Sequence, residues 1–436
     1  MRVNIVHPDS GELHYEIRGI IDFAEHLQQT GIDITWENIG DPIAKGEQLP
    51  EWIRDIVANA AKNDLSSYGY SPTQGLDVAR NFLSETRSRE SNVKLAPDDI
   101  LFFNGLGDAI TTIYTWLNPG ARVLGPNPAY PTHSSLEAVH SGSPHLTYSL
   151  DPDNGWLPDL EEVRDKVASN PDIAALLIIN PDNPTGMVYP RHILEGFVAI
   201  AKEYNLFLIA DEIYANLTYN PEDFISLATL ANRVPTIIMR GLSKEIPWPG
   251  SRCGWVEFCY IAEDPDFARY AQAIEEAKMT EVCSTTLPQT VLPTILGDDR
   301  YAPYLERRRS QYAARAAEAH TVLGEHPLLK VVEPKGAFYL SVAFSDEFLQ
   351  GVFTEPAANP FAQKLLDTAL SDIPETDFDK RFCYQLMACT GICVVPLSTG
   401  FNSDAQGFRM TLLEADDATF TKTLQTIKDF CSPAAV

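Results

Sequence analysis

At 436 residues the chain is longer than one hydrophobic core usually supports, and with 44% hydrophobic residues it has the composition of an ordinary globular protein. Its formal net charge of −27 is spread along the chain without a long single-sign block, which argues for a solvated surface and against nucleic acid or an anionic membrane as partner. The apolar run "IAALLII" is of strand length, far short of the roughly 20 residues a spanning helix needs, and "MRVNIVHPDSGELHYEIRG" lacks the features of a signal peptide, so the expected compartment is the cytoplasm.

Residues 1–50 read as an N-terminal arm and part of a smaller domain. In the stretch 51–300, short apolar runs alternate with longer amphipathic ones from about residue 100. "DILFF" precedes a helical pattern over Asp108–Trp116, "ARVLG" precedes one over Tyr130–His140, and "IAALLIIN" one over Arg191–Tyr204. "LFLIAD" and "TIIMRG" complete five such runs. Runs of this kind, with helices between them, predict an α/β fold with a mostly parallel sheet buried on both faces. Long helical stretches at Asp264–Lys278 and Arg300–Leu323 then lead into "KVVEPKGAFYLSV", "CVVPLSTGF" and "GFRMTLL". Residues 301–436 accordingly read as a smaller α+β domain ending in a helix near Asp417–Phe430. Within it the stretch 345–379, rich in Pro, Asp and Glu, reads as a surface insertion.

Metal chemistry has no support: there is no HExxH pair, and the seven cysteines show no CxxC spacing, as expected of reduced thiols. Three motifs sit at the ends of apolar runs, the edge where open α/β sheets bind ligands. "NPDNPTG" at Asn180–Gly186 stops its strand with two Asn-Pro steps, as a plain turn also would. Asp211 follows four apolar residues, where a carboxylate is costly unless it meets a cation or caps a helix. "GLSKEIPWPGSRCGW" at Gly241–Trp255 places Lys244 and Arg252 in a loop too broken for regular structure. Two spaced cations there suit an anion or a cofactor, and a solvated loop would look similar.

The order and spacing of these motifs resemble the class I/II aminotransferases, pyridoxal-phosphate enzymes of the aspartate-aminotransferase fold. The resemblance also runs through "NIGDP" at Asn38, "YGYSPTQG" at Tyr68, "NGLGDA" at Asn104, "PNPAYPTH" at Pro126, "PKGAFYL" at Pro334 and "GFRMTL" at Gly407. "YEIRG" at Tyr15 and "GLSK" look most like the bacterial alanine (glutamate–pyruvate) branch. The resemblance implies fold type I, pyridoxal 5′-phosphate (PLP) as cofactor and a ping-pong exchange between an L-amino acid and a 2-oxo acid. It gives Lys244 the Schiff base with the cofactor aldehyde, Asp211 the pyridine nitrogen, and Asn183 and Tyr214 the phenolic oxygen. Arg252, Ser243 and the backbone N–H groups of Leu106, Gly107 and Asp108 hold the phosphate, and Tyr130 stacks on the ring. Tyr70 reaches the phosphate from a partner subunit, which implies a homodimer with shared sites. Arg409 takes the substrate α-carboxylate, with Gly40 and Asn183 completing that pocket, and Tyr15 reads either as its cap or as a staple of the N-terminal arm onto the body.

Two departures and two alternatives stand beside this reading. The commonest family pattern has a serine three residues before the lysine, where this chain has Gly241. The "IPWP" filling of the loop is unusually stiff, and Trp248 and Trp255 read either as packing residues or as walls of an aromatic pocket. A PLP-dependent C–S lyase or an enzyme similar to aminocyclopropane-carboxylate synthase shares nearly all these motifs. A PLP-binding regulator is disfavoured by the short stretch ahead of Asn38 and by the negative charge.

Overall fold

Apolar runs too short for a helix bury themselves best between two layers, and all five do so here. The computed structural model describes residues 16–91, 93–351 and 355–432. Its large sheet has eight strands: β1 Ile100–Phe103, β2 Arg122–Asn127, β3 Leu146–Asp151, β4 Leu157–Pro158, β5 Ile173–Ile179, β6 Phe207–Asp211, β7 Thr236–Gly241 and β8 Gly254–Cys259. Their spatial order is β1-β8-β7-β6-β5-β2-β3-β4, with β3, β2, β5, β6 and β7 mutually parallel. Along β5 the side chains alternate between the faces: Leu176 and Ile178 join one apolar cluster, Ala175, Leu177 and Ile179 the other. Helices cover both faces, Arg191–Tyr204 packing Phe197 into the first cluster and Leu106–Thr115 packing Ile110 into the second.

Strand β8 is absent from the sequence-based reading. It runs antiparallel between β1 and β7, and all six of its residues are buried. Glu257 interrupts its apolar run, which hides it. The carboxylate is tolerated because Arg87 Nε donates to it at 2.8 Å and Trp255 Nε1 at 3.1 Å.

The smaller sheet is antiparallel, with β9 Leu329–Val331, β10 Tyr339–Phe344, β11 Val395–Pro396 and β12 Gly407–Thr411 in the order β9-β10-β12-β11. The N-terminal helix Glu16–Gln28 buries Ile20, Phe23, Ala24 and Leu27 in the same core, and Thr35–Trp36 pairs with Ile392–Cys393. The stretch 345–379 supplies part of this core as well. Its helix Pro360–Asp372, capped by Asn359, buries Ala362 and Leu366, and Phe348 stacks on Phe344 at 4.4 Å. Among the described residues no helix is long and apolar enough to cross a membrane.

Candidate active site

The parallel strands end at one edge of the sheet, and the loops that leave them enclose a cavity of about 390 Å³. Lys244, Asp211, Asn183, Tyr214, Tyr130, Ser243, Arg252, Leu106, Gly107, Gly40 and Arg409 all lie on its wall. Residues more than 370 positions apart in sequence thus share one space, between loops of the eight-stranded sheet, the large-lobe wall, and Arg409 of the four-stranded sheet with its neighbours, the small-lobe wall.

Lys244 sits in the one-turn helix Leu242–Glu245 that follows β7. Its ammonium donates to the Gly40 carbonyl at 2.7 Å and lies 5.7 Å from the Phe338 ring centroid. The backbone at the end of that turn is held from below by Arg308, whose Nη1 donates to the carbonyls of Lys244 at 2.7 Å and Glu245 at 2.6 Å. These are the orphan carbonyls any helix end leaves. Gly241 pairs with Gly254 across the β7–β8 ladder. A side chain at Gly241 would come within 2.8 Å of the Cys253 carbonyl, which accounts for glycine where the family pattern has serine. "IPWP" also has a role in packing: Ile246 is buried and Trp248 rests against a cluster that includes Ile53 and Trp255. Both tryptophans are therefore packing residues, and neither lines the cavity.

Arg252 closes the loop in a left-handed conformation, φ 48°. Its Nη2 donates to the Asn104 carbonyl at 3.1 Å and its Nη1 to Pro249 at 3.3 Å. The guanidinium packs against Gly105, which caps the helix Leu106–Thr115 at φ 82°; any side chain there would run into it. Leu106 and Gly107 face the cavity. Asp108 does not: its N–H donates to the Gly105 carbonyl at 3.2 Å, and its carboxylate turns to Asn104 N and Lys278.

Asp211 ends β6 and is 4% exposed. One carboxylate oxygen accepts from Ile213 N at 3.1 Å, and the other faces His133 Nε2 at 3.3 Å. Nearby, the amide of Asn183 is buried and its Oδ1 has no hydrogen-bond partner among the described residues. Burial raises the pKa of the Tyr214 phenol well above its ordinary value, so it keeps its proton; its oxygen lies 2.9 Å from that of Tyr339.

Arg409 projects from the middle of β12 and is 3% exposed. It donates to the Asn38 carbonyl at 2.6 Å, and its guanidinium carbon lies 4.6 Å from the Tyr339 ring centroid and 5.1 Å from that of Phe401. Gly40 lies so close to the Tyr339 hydroxyl that a side chain there would collide with it. Tyr70 is 87% exposed and away from this chain's own cavity. Tyr15 lies outside the described residues.

Several site residues escaped the sequence reading. His133 stands in the quoted "PNPAYPTH", three positions after Tyr130 and one helical turn along, which is the signal that it shares the site's face. Tyr339 lies likewise in "PKGAFYL". Asn38 opens the quoted "NIGDP", whereas Arg308 carries no local signal, because its partners come from elsewhere in the chain.

Residues 37–389 match the family model for aminotransferase class I and II. The chain is 47% identical over 429 residues to an uncharacterized aminotransferase of Methanocaldococcus jannaschii, covering 98% of each. It is 29% identical over 330 residues to the glutamate–pyruvate aminotransferase of Escherichia coli, covering 75% of this chain and 79% of the relative. The solved alanine aminotransferase of Pyrococcus furiosus superposes with a TM-score of 0.84 at 26% identity, over 98% of this chain and 99% of that one.

Proposed function

Because the chain belongs to the aminotransferase class I and II family, we propose that it exchanges an amino group between an L-amino acid and a 2-oxo acid, with alanine and glutamate as first candidates. The alanine-type names among its relatives support that choice of substrates. One observation carries the reading: a single cavity holds a lysine amine, a buried carboxylate and two guanidinium groups on opposite walls. The family's cofactor is PLP, and the residues present fit it. Asn183 Oδ1, unpartnered among the described residues, and the Arg252 guanidinium beside bare Gly105 both line the cavity and suit a polar ligand.

When bound, PLP supplies an aldehyde for the substrate amine and a ring that draws electron density from the substrate Cα. Lys244 is the base that takes the Cα proton, and its contact with the Gly40 carbonyl holds the amine in the cavity beforehand. Asp211 accepts the ring N–H and is itself oriented by His133 and Ile213 N. Tyr214 keeps its proton and donates to the phenolic oxygen, with Asn183 beside it. Arg252, Ser243 and the start of the helix Leu106–Thr115 receive the phosphate. Arg409 binds the α-carboxylate with its planar fork, held by the two rings beside it.

Both substrates use Arg409 and Lys244, so they occupy the cavity in turn and the exchange is ping-pong. Leu65, Tyr68, Tyr70, Met279 and Val282 are all exposed, and Thr73, three residues after Tyr70, donates to the Val282 carbonyl at 2.9 Å. Exposed apolar side chains of this size support a homodimer in which Tyr70 reaches the partner's phosphate site. Seven cysteines without a disulfide among the described residues support a reducing, cytoplasmic setting.

The test is a half-reaction with single amino acids. Alanine or glutamate is expected to release one equivalent of its 2-oxo acid per site without free ammonia. Ammonia and pyruvate from cysteine or cystathionine, with no 2-oxo acid from any simple amino acid, would reject the proposal.

A further inference from the structure

The wall behind Arg252 holds a charge that the reaction does not use. Lys278, on the helix Pro265–Glu281, has a side chain only 1% exposed. Its ammonium pairs with Asp108 at 3.0 Å and with Glu281, and lies 5.0 Å from the Phe103 ring centroid. A methionine would fill the same space without the cost of desolvating an ion, so packing alone does not explain the lysine.

Its partners lead back to the site. The Asp108 carboxylate also accepts Asn104 N–H at 2.9 Å. The Asn104 carbonyl holds Arg252, its Oδ1 accepts from Thr285 N at 3.0 Å, and its Nδ2 donates to Glu281. Asp108 is the third residue of the helix Leu106–Thr115, where a carboxylate competes with any anion for the field of the helix N-terminus. With Lys278 in place, the cations Lys278 and Arg252 balance the anions Asp108 and Glu281. Without it, the wall turns negative.

We propose that Lys278 is a positioning residue for the phosphate end of the cofactor site. It draws the Asp108 and Glu281 carboxylates aside and offsets one of their two negative charges, so that the helix N-terminus and Arg252 face a phosphate dianion with less opposing charge. This inference rests on the PLP reading of the cavity.

The test uses apoenzyme of the full chain, titrated with PLP and with pyridoxal, which lacks the phosphate. Lys278→Met is expected to weaken PLP binding by about tenfold or more while pyridoxal stays within about twofold. Asp108→Asn is expected to strengthen the preference for PLP over pyridoxal, and the double variant to return it to the wild-type ratio. Equal losses for both ligands in Lys278→Met, or no loss, overturn the inference. If Lys278→Met does not fold, Asp108→Asn decides, and an unchanged or reduced preference overturns it. A wild-type protein that does not prefer PLP to pyridoxal overturns the cofactor reading, and the inference with it. A wild-type preference that Lys278→Met leaves intact overturns the Lys278 role alone.

Discussion

The two walls of the cavity are backed by different physics. Behind the large-lobe wall lies a layer of buried ions: Arg87 pairs with Glu257 at 2.8 Å, and Arg240 with Glu212 at 2.6 Å, while Glu212 also accepts from Ser226 and Leu227 N. The small-lobe wall presents one cation, Arg409, and backs it with rings: Tyr339 and Phe401 against the guanidinium, then Phe344, Phe382 and Phe408 in the core. The large-lobe wall must aim several polar groups from loops, and directional charge-assisted bonds fix such loops in place. The small lobe aims one side chain from a strand, and apolar packing beside the bond to the Asn38 carbonyl holds it.

The comparison can be broken at four places. Lys244→Ala removes the proton carrier of the large-lobe wall, and the half-reaction rate is expected to fall by about ten-thousandfold, read by single-turnover kinetics. A residual rate within tenfold of wild type would take Lys244 out of the chemistry. Arg87→Met strands the buried Glu257, with an expected loss of about 3–5 kcal/mol in denaturant unfolding. A loss no larger than that of an exposed ion pair would show the ionic backing to be dispensable. On the other wall, Arg409→Lys keeps the charge and loses the fork, and kcat/KM is expected to drop by about a hundredfold with the fold intact by circular dichroism.

The smallest effect is a pH dependence. Desolvation lifts the carboxyl of buried Asp182, beside Asn183, from 3.8 to about 7. Its folded pKa lies above the unfolded one, so the folded chain binds this proton more tightly. The resulting stability is present below the ordinary carboxylate range and is lost as pH rises through about 7. Asp182→Asn is expected to raise Tm above neutrality and flatten its slope between those limits. A variant whose Tm follows the wild-type curve would reject that assignment.

The same contrast explains what was legible beforehand. Groups on the large-lobe wall follow their strands within a few residues: Asp211 closes β6, Asn183 is four positions past β5, and Lys244 three past β7. An apolar run that ends in a charged or turn-forming residue is visible in one dimension. Strand β8 was not, because Glu257 breaks its pattern and its justification, Arg87, lies 170 residues away. The helix Pro360–Asp372 was hidden by the polar residues around it, although its Ala362 and Leu366 are buried.

By itself the sequence determined four of the five mutually parallel strands, β2, β5, β6 and β7, and the polar groups at their ends, since burial period and chain-terminating turns are local properties; β3 escaped it because its apolar residues alternate with polar ones. The tertiary structure decided the rest. It brought Arg409 and Gly40 to face Lys244, set His133 against Asp211, clamped the Lys244 turn with Arg308, and placed Lys278 behind the helix that starts at Leu106. Each of these is a contact between charged or polar groups from distant segments. Its strength depends on distance and on the exclusion of water, and both exist only once the chain has folded.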